Sequence, residues 1–173
     1  EFPTILPKDA APASLPDMPD LDWTADYTVP ADDFRRWVRG VDTISDHIQI
    51  GGWEGRFYIH AEGDVDTFRA TPSLARGGGD ALSTYSLEYI KDLSLQIPRR
   101  ASTQLKLEFS TEFPLRASYD VDGDKATARV VYLVAPRIQS DEDRTDPEAL
   151  APQNFEFVGD TFARFTKERQ EFD

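Results

Sequence analysis

Between Phe34 and Ile44 the apolar residues recur at the spacing of a helix. At about 100° per residue, Phe34, Trp37, Val38, Val41 and Ile44 fall on one side, and Arg35, Arg36 and Arg39 fall on the opposite side. Such a helix must lay its apolar stripe on a partner surface, and its neighbours in sequence have the composition of strands. Residues 26–29 precede it, and His47–Trp53 and Arg56–Glu62 follow it, the last two joined by a turn at Glu54-Gly55. Asp32 and Asp33 place negative charge in the first turn, where the helix dipole favours it. The chain as a whole carries a net charge of -13. Three arginines on one exposed face therefore run against the general charge balance, and a polyanion such as nucleic acid explains them.

The remaining chain continues the alternation. Residues 65–71 read as a strand, and Gly77-Gly78-Gly79 as a flexible loop. With no Lys-Ser or Lys-Thr behind it, that glycine run is not a phosphate cradle. Residues 81–85 form a strand, Ser86 is placed to cap a second helix, and Leu87, Ile90, Leu93 and Ile97 give that helix its apolar stripe before Pro98 stops it. Strands are expected at 102–109, 115–121 and 125–134, with Asp122-Gly123 as the hairpin turn between the last two. Two helices among about eight strands suggest an α+β fold: one antiparallel sheet with both helices on a single face.

Both ends differ in character from this centre. Residues 1–24 carry Pro3, Pro7, Pro12, Pro16 and Pro19, a density that suits an extended connector lying along a surface, with a short strand possible near Phe2 and Ile5. Residues 141–173 open as a solvated acidic linker. Phe155, Val158, Phe162 and Phe165 then recur at helical spacing, which predicts a short helix docked on the protein's own surface in preference to a ligand for a partner. The folded part is thus expected at 25–140.

Composition removes several classes of function. There is no cysteine, so disulfides, thiolate metal sites and cysteine nucleophiles are excluded together. No apolar run approaches the roughly 20 residues that span a bilayer, and the first residues lack the pattern of a secretory signal, so no membrane role is expected. The 32 Asp and Glu against 19 Lys and Arg suit either adaptation to concentrated salt, in which carboxylate repulsion is screened, or an ordinary acidic protein. His47 and His60 have no spaced companions that would make a zinc site. Ser45-Asp46-His47 contains the residue types of a hydrolase triad, but side chains adjacent in sequence are poorly placed for that relay. Asp120, Asp122 and Asp124 resemble the start of a calcium loop, yet Val131 stands where a bidentate glutamate is needed. No cofactor or metal is expected, and the chain reads as non-catalytic.

Several of these segments occur together, in this order, elsewhere. Pro16-Asp17-Met18-Pro19-Asp20-Leu21-Asp22, the stretch 41–47 ending in Ser45-Asp46-His47, Ala61-Glu62-Gly63-Asp64, Tyr85-Ser86-Leu87-Glu88-Tyr89-Ile90-Lys91-Asp92, Phe113-Pro114-Leu115 and Tyr132-Leu133-Val134-Ala135-Pro136-Arg137-Ile138 resemble archaeal sliding clamps of the proliferating cell nuclear antigen family. The resemblance runs from about residue 2 to 139, and it covers the second half of such a clamp. It implies the processivity fold, with residues 1–24 as the end of a first-domain strand and the interdomain connecting loop, and 25–140 as the second domain. Arg35, Arg36, Arg39, Lys91, Arg99 and Arg100 would then face duplex DNA without sequence preference, although Glu88 and Asp92 share the second helix with Lys91. Met18, Pro19, Pro114, Leu133, Ala135, Pro136 and Ile138 would form a pocket for partner peptides. Phe2 and Ile5 on one edge strand, and Val65, Phe68 and Ala70 on another, would join subunits into a homotrimeric ring if the first domain is present.

Implied partners are DNA polymerase, flap endonuclease, ligase and the clamp loader. The implied location is the nucleoid of an archaeal or viral system, or the nucleus of a eukaryotic one. The alternative is a clamp-derived interaction or inhibitory module that does not encircle DNA.

Overall fold

The computed structural model describes residues 21–72, 74–100, 102–124, 126–138, 147–150 and 163–166. The elements run β1 (Ala25–Pro30), α1 (Ala31–Asp42), β2 (His47–Trp53), β3 (Arg56–Glu62), β4 (Asp66–Ala70), β5 (Arg76–Gly78), β6 (Ala81–Ser86), α2 (Leu87–Gln96), β7 (Gln104–Phe109), β8 (Leu115–Asp122), β9 (Thr127–Val134), α3 (Pro147–Leu150) and β10 (Ala163–Thr166). The strands divide into two antiparallel sheets, β5-β1-β7-β8-β9 and β10-β4-β3-β2-β6, where the sequence suggested one. Strand spacing does not encode this division, because it depends on where the chain crosses between the sheets, twice through a helix and twice around the short strand β5. α1 carries the chain from β1 in the first sheet to β2 in the second, and α2 carries it back from β6 to β7.

The α+β reading with two adjacent helices therefore stands, on a pair of sheets. Arg35 Nη1 donates to the carbonyls of Ile97 (3.1 Å) and Pro98 (3.4 Å), just past the end of α2, while Lys91 in α2 pairs with Asp42 at the end of α1. The two helices thus run antiparallel. Their apolar stripes, Phe34, Trp37, Val38 and Val41 from α1 and Leu87, Ile90 and Leu93 from α2, are buried in one continuous core. Both sheets supply the other side of it, through Tyr27, Leu105, Leu107 and Phe109 from the first and Ile48, Ile50, Phe57 and Ile59 from the second. Full burial of side chains of this size contributes about 1.5–3 kcal/mol each, which is what holds two short helices across two sheets.

Local rules fix the connections. Glu54 and Gly55 both take positive φ, 48° and 75°, as the tight turn between β2 and β3 requires. The β8–β9 turn is wider than Asp122-Gly123 implies. Asp122 lies opposite Thr127, whose hydroxyl donates to the Asp122 carboxylate at 2.9 Å, and the Gly123 amide closes onto the Ala126 carbonyl at 2.9 Å. Two residues of the glycine run, Gly77 and Gly78, belong to a strand. Gly77 and Gly78 lie opposite Tyr27 and Asp26 of β1, and a Cβ on Gly77 would stand 2.0 Å from the Asp26 carbonyl oxygen, so the loop expectation fails because glycine permits that close pairing. Ser86 precedes α2 in extended conformation without a side-chain capping bond.

The helix expected near the C-terminus is not found at 163–166, which form β10; Phe155, Val158 and Phe162 lie outside the described residues. A four-residue strand needs only backbone pairing with a sheet edge, so phenylalanine spacing does not decide it. No helix among the described residues is long and apolar enough to cross a membrane.

Gly52 tests the packing between the sheets. A Cβ there would stand 2.5 Å from the Tyr27 ring and 2.6 Å from the Gly79 carbonyl oxygen, to which the Tyr27 hydroxyl donates at 2.9 Å. Backbone cannot move aside as a side-chain tip can. Gly52→Ala is expected to cost about 1–3 kcal/mol, read as a lower midpoint in urea unfolding with unchanged slope.

Candidate nucleic-acid interface

The two helices place the predicted basic residues unequally. Arg36 and Arg39 lie on the exposed side of α1, opposite its buried stripe, and Arg36 pairs with Asp33 at 3.2 Å. Arg35 does not join them. Its side chain is only 12% exposed, is held by Asp32, and donates to the carbonyls beyond α2, so its charge is committed to binding the two helices together. The helical wheel misplaced it because 100° steps ignore the neighbouring helix. Lys91 also spends its charge internally, on Asp42 at 2.8 Å. Arg99 and Arg100 are exposed just past α2, and Arg100 donates to the Asp122 carbonyl at 3.3 Å.

Because the helices are antiparallel, charge is sorted along their common layer. Arg36, Arg99 and Arg100 gather where α1 begins and α2 ends. At the other end lies a cleft of about 650 Å³ lined by Asp42, Asp46, Glu88 and Asp92 together with Lys91. A polyanion on this layer meets cations at one end and carboxylates at the other. Contact therefore concentrates on the exposed side of α1 from Arg36 to Arg39 and on the residues just after α2.

On the far side from the core, the end of the connector is pinned to the first sheet. The Thr24 amide donates to the Ser110 hydroxyl, which in turn donates to the Asp22 carbonyl, each at 2.8 Å. Trp23 Nε1 donates to the Pro114 carbonyl at 3.3 Å, and the Arg116 guanidinium lies 3.9 Å over the Trp23 ring. Arg116 also pairs with Glu108, which takes Lys106 at 3.1 Å. Burial opposes charge on Glu108, but Arg116 and Lys106 outweigh it and hold the carboxyl below the usual range.

The predicted pocket residues are partly assembled around this point. Tyr85 donates to the Phe113 carbonyl at 3.1 Å, and the Arg137 amide to the Thr84 carbonyl at 2.7 Å. β6 thereby gathers Pro114 on one loop and Ala135, Pro136 and Ile138 on another. Leu133 is 47% exposed and Ile138 85%, beside an exposed Phe113. Met18 and Pro19 lie outside the described residues. Trp23 and Phe113 join this apolar surface without having been singled out for it; the signal was available in Trp23, an aromatic residue in a polar connector.

Of the edge residues, Phe2 and Ile5 lie outside the described residues. Val65 is exposed immediately before β4, but Phe68 and Ala70 are core residues beneath the helices, so they cannot form a contact surface with their side chains. β4 has β3 on one side and β10 on the other, so its backbone presents no free edge either.

The residues weighed for hydrolytic and metal chemistry have other partners. The His47 ring meets Asp46, but the Ser45 hydroxyl accepts from the His47 backbone amide at 3.2 Å. Asp120 is engaged by Arg129 at 2.8 Å. Among the described residues no three His, Asp or Glu side chains converge as metal ligands.

Known proteins provide the comparison. No family model matches the chain. The DNA polymerase sliding clamp of Halobacterium salinarum is 40% identical over 131 residues, covering 72% of this chain and 51% of that protein. The corresponding protein of Methanothrix thermoacetophila is 35% identical over 130 residues, covering 73% and 51%. Among solved structures, the A. fulgidus PCNA bound to the C-terminal region of FEN-1 superimposes with a TM-score of 0.65 at 27% identity, covering 73% of this chain and 52% of that one. The chain spans about half the length of the curated relatives it matches. Over that matched length sequence and fold agree: this chain is similar to archaeal DNA polymerase sliding clamps and carries the fold of proliferating cell nuclear antigen.

Proposed function

We propose that residues 25–140 are the second domain of a DNA sliding clamp, that 1–24 are the adjoining strand end and connecting loop, and that the chain serves as a non-catalytic processivity factor. The observation that carries this reading is the exposed arginine cluster on the helix layer of a clamp-type fold in a chain otherwise strongly acidic. Arg36, Arg39, Arg99 and Arg100 supply sequence-independent phosphate contacts, the kind that let a protein slide. The surface of Phe113, Pro114, Leu133, Ala135, Pro136 and Ile138 receives apolar anchors of replication and repair proteins, such as polymerase, flap endonuclease, ligase and clamp loader. Ring formation as a homotrimer requires the first domain as well.

The test is a titration of the chain with duplexes of unrelated sequence. Equal affinities that fall steeply with salt support the reading, and absence of binding at low salt overturns the DNA role. For the peptide surface, Leu133→Glu is expected to weaken a peptide with apolar anchors at least tenfold in calorimetry, since it places an uncompensated charge in a desolvated contact. An unchanged affinity would remove Leu133 from the site. A second reading, an interaction module that does not encircle DNA, is favoured by one observation: the edge of β4 is already paired.

A further inference from the structure

β4 is flanked by β3 on one side and β10 on the other. β10 runs antiparallel to it, with Ala163 opposite Arg69, Arg164 opposite Phe68, Phe165 opposite Thr67 and Thr166 opposite Asp66. Without β10, β4 would be the outermost strand of its sheet, presenting unpaired amides and carbonyls that invite another strand. Its inward residues Phe68 and Ala70 are already buried in the core, so an incoming strand would find a backbone edge and little else.

The route of the chain makes the capping strand a local matter. α3 precedes it and lies against β2, with Leu150 buried on Tyr58 and Leu82. From β2 to β10 is three steps across the sheet, about 14 Å at ordinary strand spacing. The connector 151–162 can reach roughly 40 Å when extended. The same chain can therefore supply the strand without strain, and no exchange with a second copy is needed.

We propose that residues 163–166 are an intramolecular edge cap, which any strand arriving from another copy of this chain must displace. Tethering gives the cap an effective concentration in the millimolar range. A free second copy at micromolar concentration is at a disadvantage of up to about a thousandfold against it. The cap rests on strand pairing alone and holds whether or not the chain encircles DNA.

Hydrogen exchange on the full chain in the absence of DNA tests it. Alternate amides of β4 face β3 and β10, so the two sets report separately. In the double variant Arg164→Pro/Phe165→Pro, which removes donors from the middle of the cap, the β10-facing amides are expected to lose at least tenfold in protection. The β3-facing set should be unchanged, which also verifies that the variant is folded. In the parent, protection of the β10-facing set should not vary with protein concentration. Equal exchange of that set in parent and variant would overturn the proposal, and so would protection that rises with concentration, because the strand would then come from a second copy.

Discussion

Reversing charge at Arg36 and Arg39 together, with both replaced by glutamate, is expected to lower affinity for duplex DNA by about 10- to 100-fold near 50 mM salt, and to reduce the slope of log affinity against log salt by about two. Each phosphate contact accounts for about 0.9 of that slope through counterion release, so two lost contacts fix the change in slope. The added carboxylates deepen the loss through repulsion. Both side chains lie on the exposed face of α1, away from the core, so stability should change little. Arg35→Ala provides the contrast. It removes the hydrogen bonds to the Ile97 and Pro98 carbonyls and should cost about 1–3 kcal/mol of stability, while leaving the salt slope as it was. Anisotropy titrations at several salt concentrations, beside urea unfolding of each variant, separate the two effects. A double reversal that leaves the slope intact would remove α1 from the DNA interface.

The contrast between Arg35 and its neighbours shows what the chain's pattern could and could not reveal. Local periodicity located the elements: β2 and β3 fall where alternation and the Glu54-Gly55 turn put them, and the helices bury the predicted stripes as far as Val41 and Leu93, with Ile44 and Ile97 just past their ends. Pairing between distant segments was not legible. Whether β5 joins β1 or a loop, and whether the strands make one sheet or two, depends on contacts across tens of residues that no local signal marks.

The same limit governed the site. Arg36 and Arg39 were readable as exposed because their own helix decides it, whereas Arg35 and Lys91 were diverted by groups on the neighbouring helix. Phe68 and Ala70 looked like interface residues in a strand at an edge. Their burial beneath α1 becomes visible only once the helix layer is in place, with the Phe68 ring under Gly40, where a Cβ would stand 2.5 Å from it. The surface around Pro114 required both the Phe113 and the Arg137 segments to be tied to β6, a convergence of three distant stretches.

Acidification should expose a weakness in the second sheet at His60. The residue lies in β3 opposite Gln49 of β2 and Arg69 of β4, and is 3% exposed. Its Nδ1 is 2.5 Å from Gln49 Oε1, a partner that only accepts, so the ring carries its proton on Nδ1 when neutral. Burial pushes its pKa down, the Arg69 guanidinium pushes it further, and Glu62 opposes both without reversing them. The result is about 4 against an ordinary value of 6.5.

The unfolded chain therefore takes up a proton at a pH where the folded chain does not. This contribution to stability is complete above pH 6.5 and is lost as pH falls from 6.5 towards 4, at about 1.4 kcal/mol per unit. Between pH 7.5 and 5 the expected loss is about 2 kcal/mol. Urea midpoints of the parent should fall across the interval, and those of His60→Gln should stay nearly level even if that variant begins from a lower stability. Parallel profiles would mean that His60 takes up its proton at the same pH in the folded and unfolded chain, and that burial and Arg69 do not hold its pKa down.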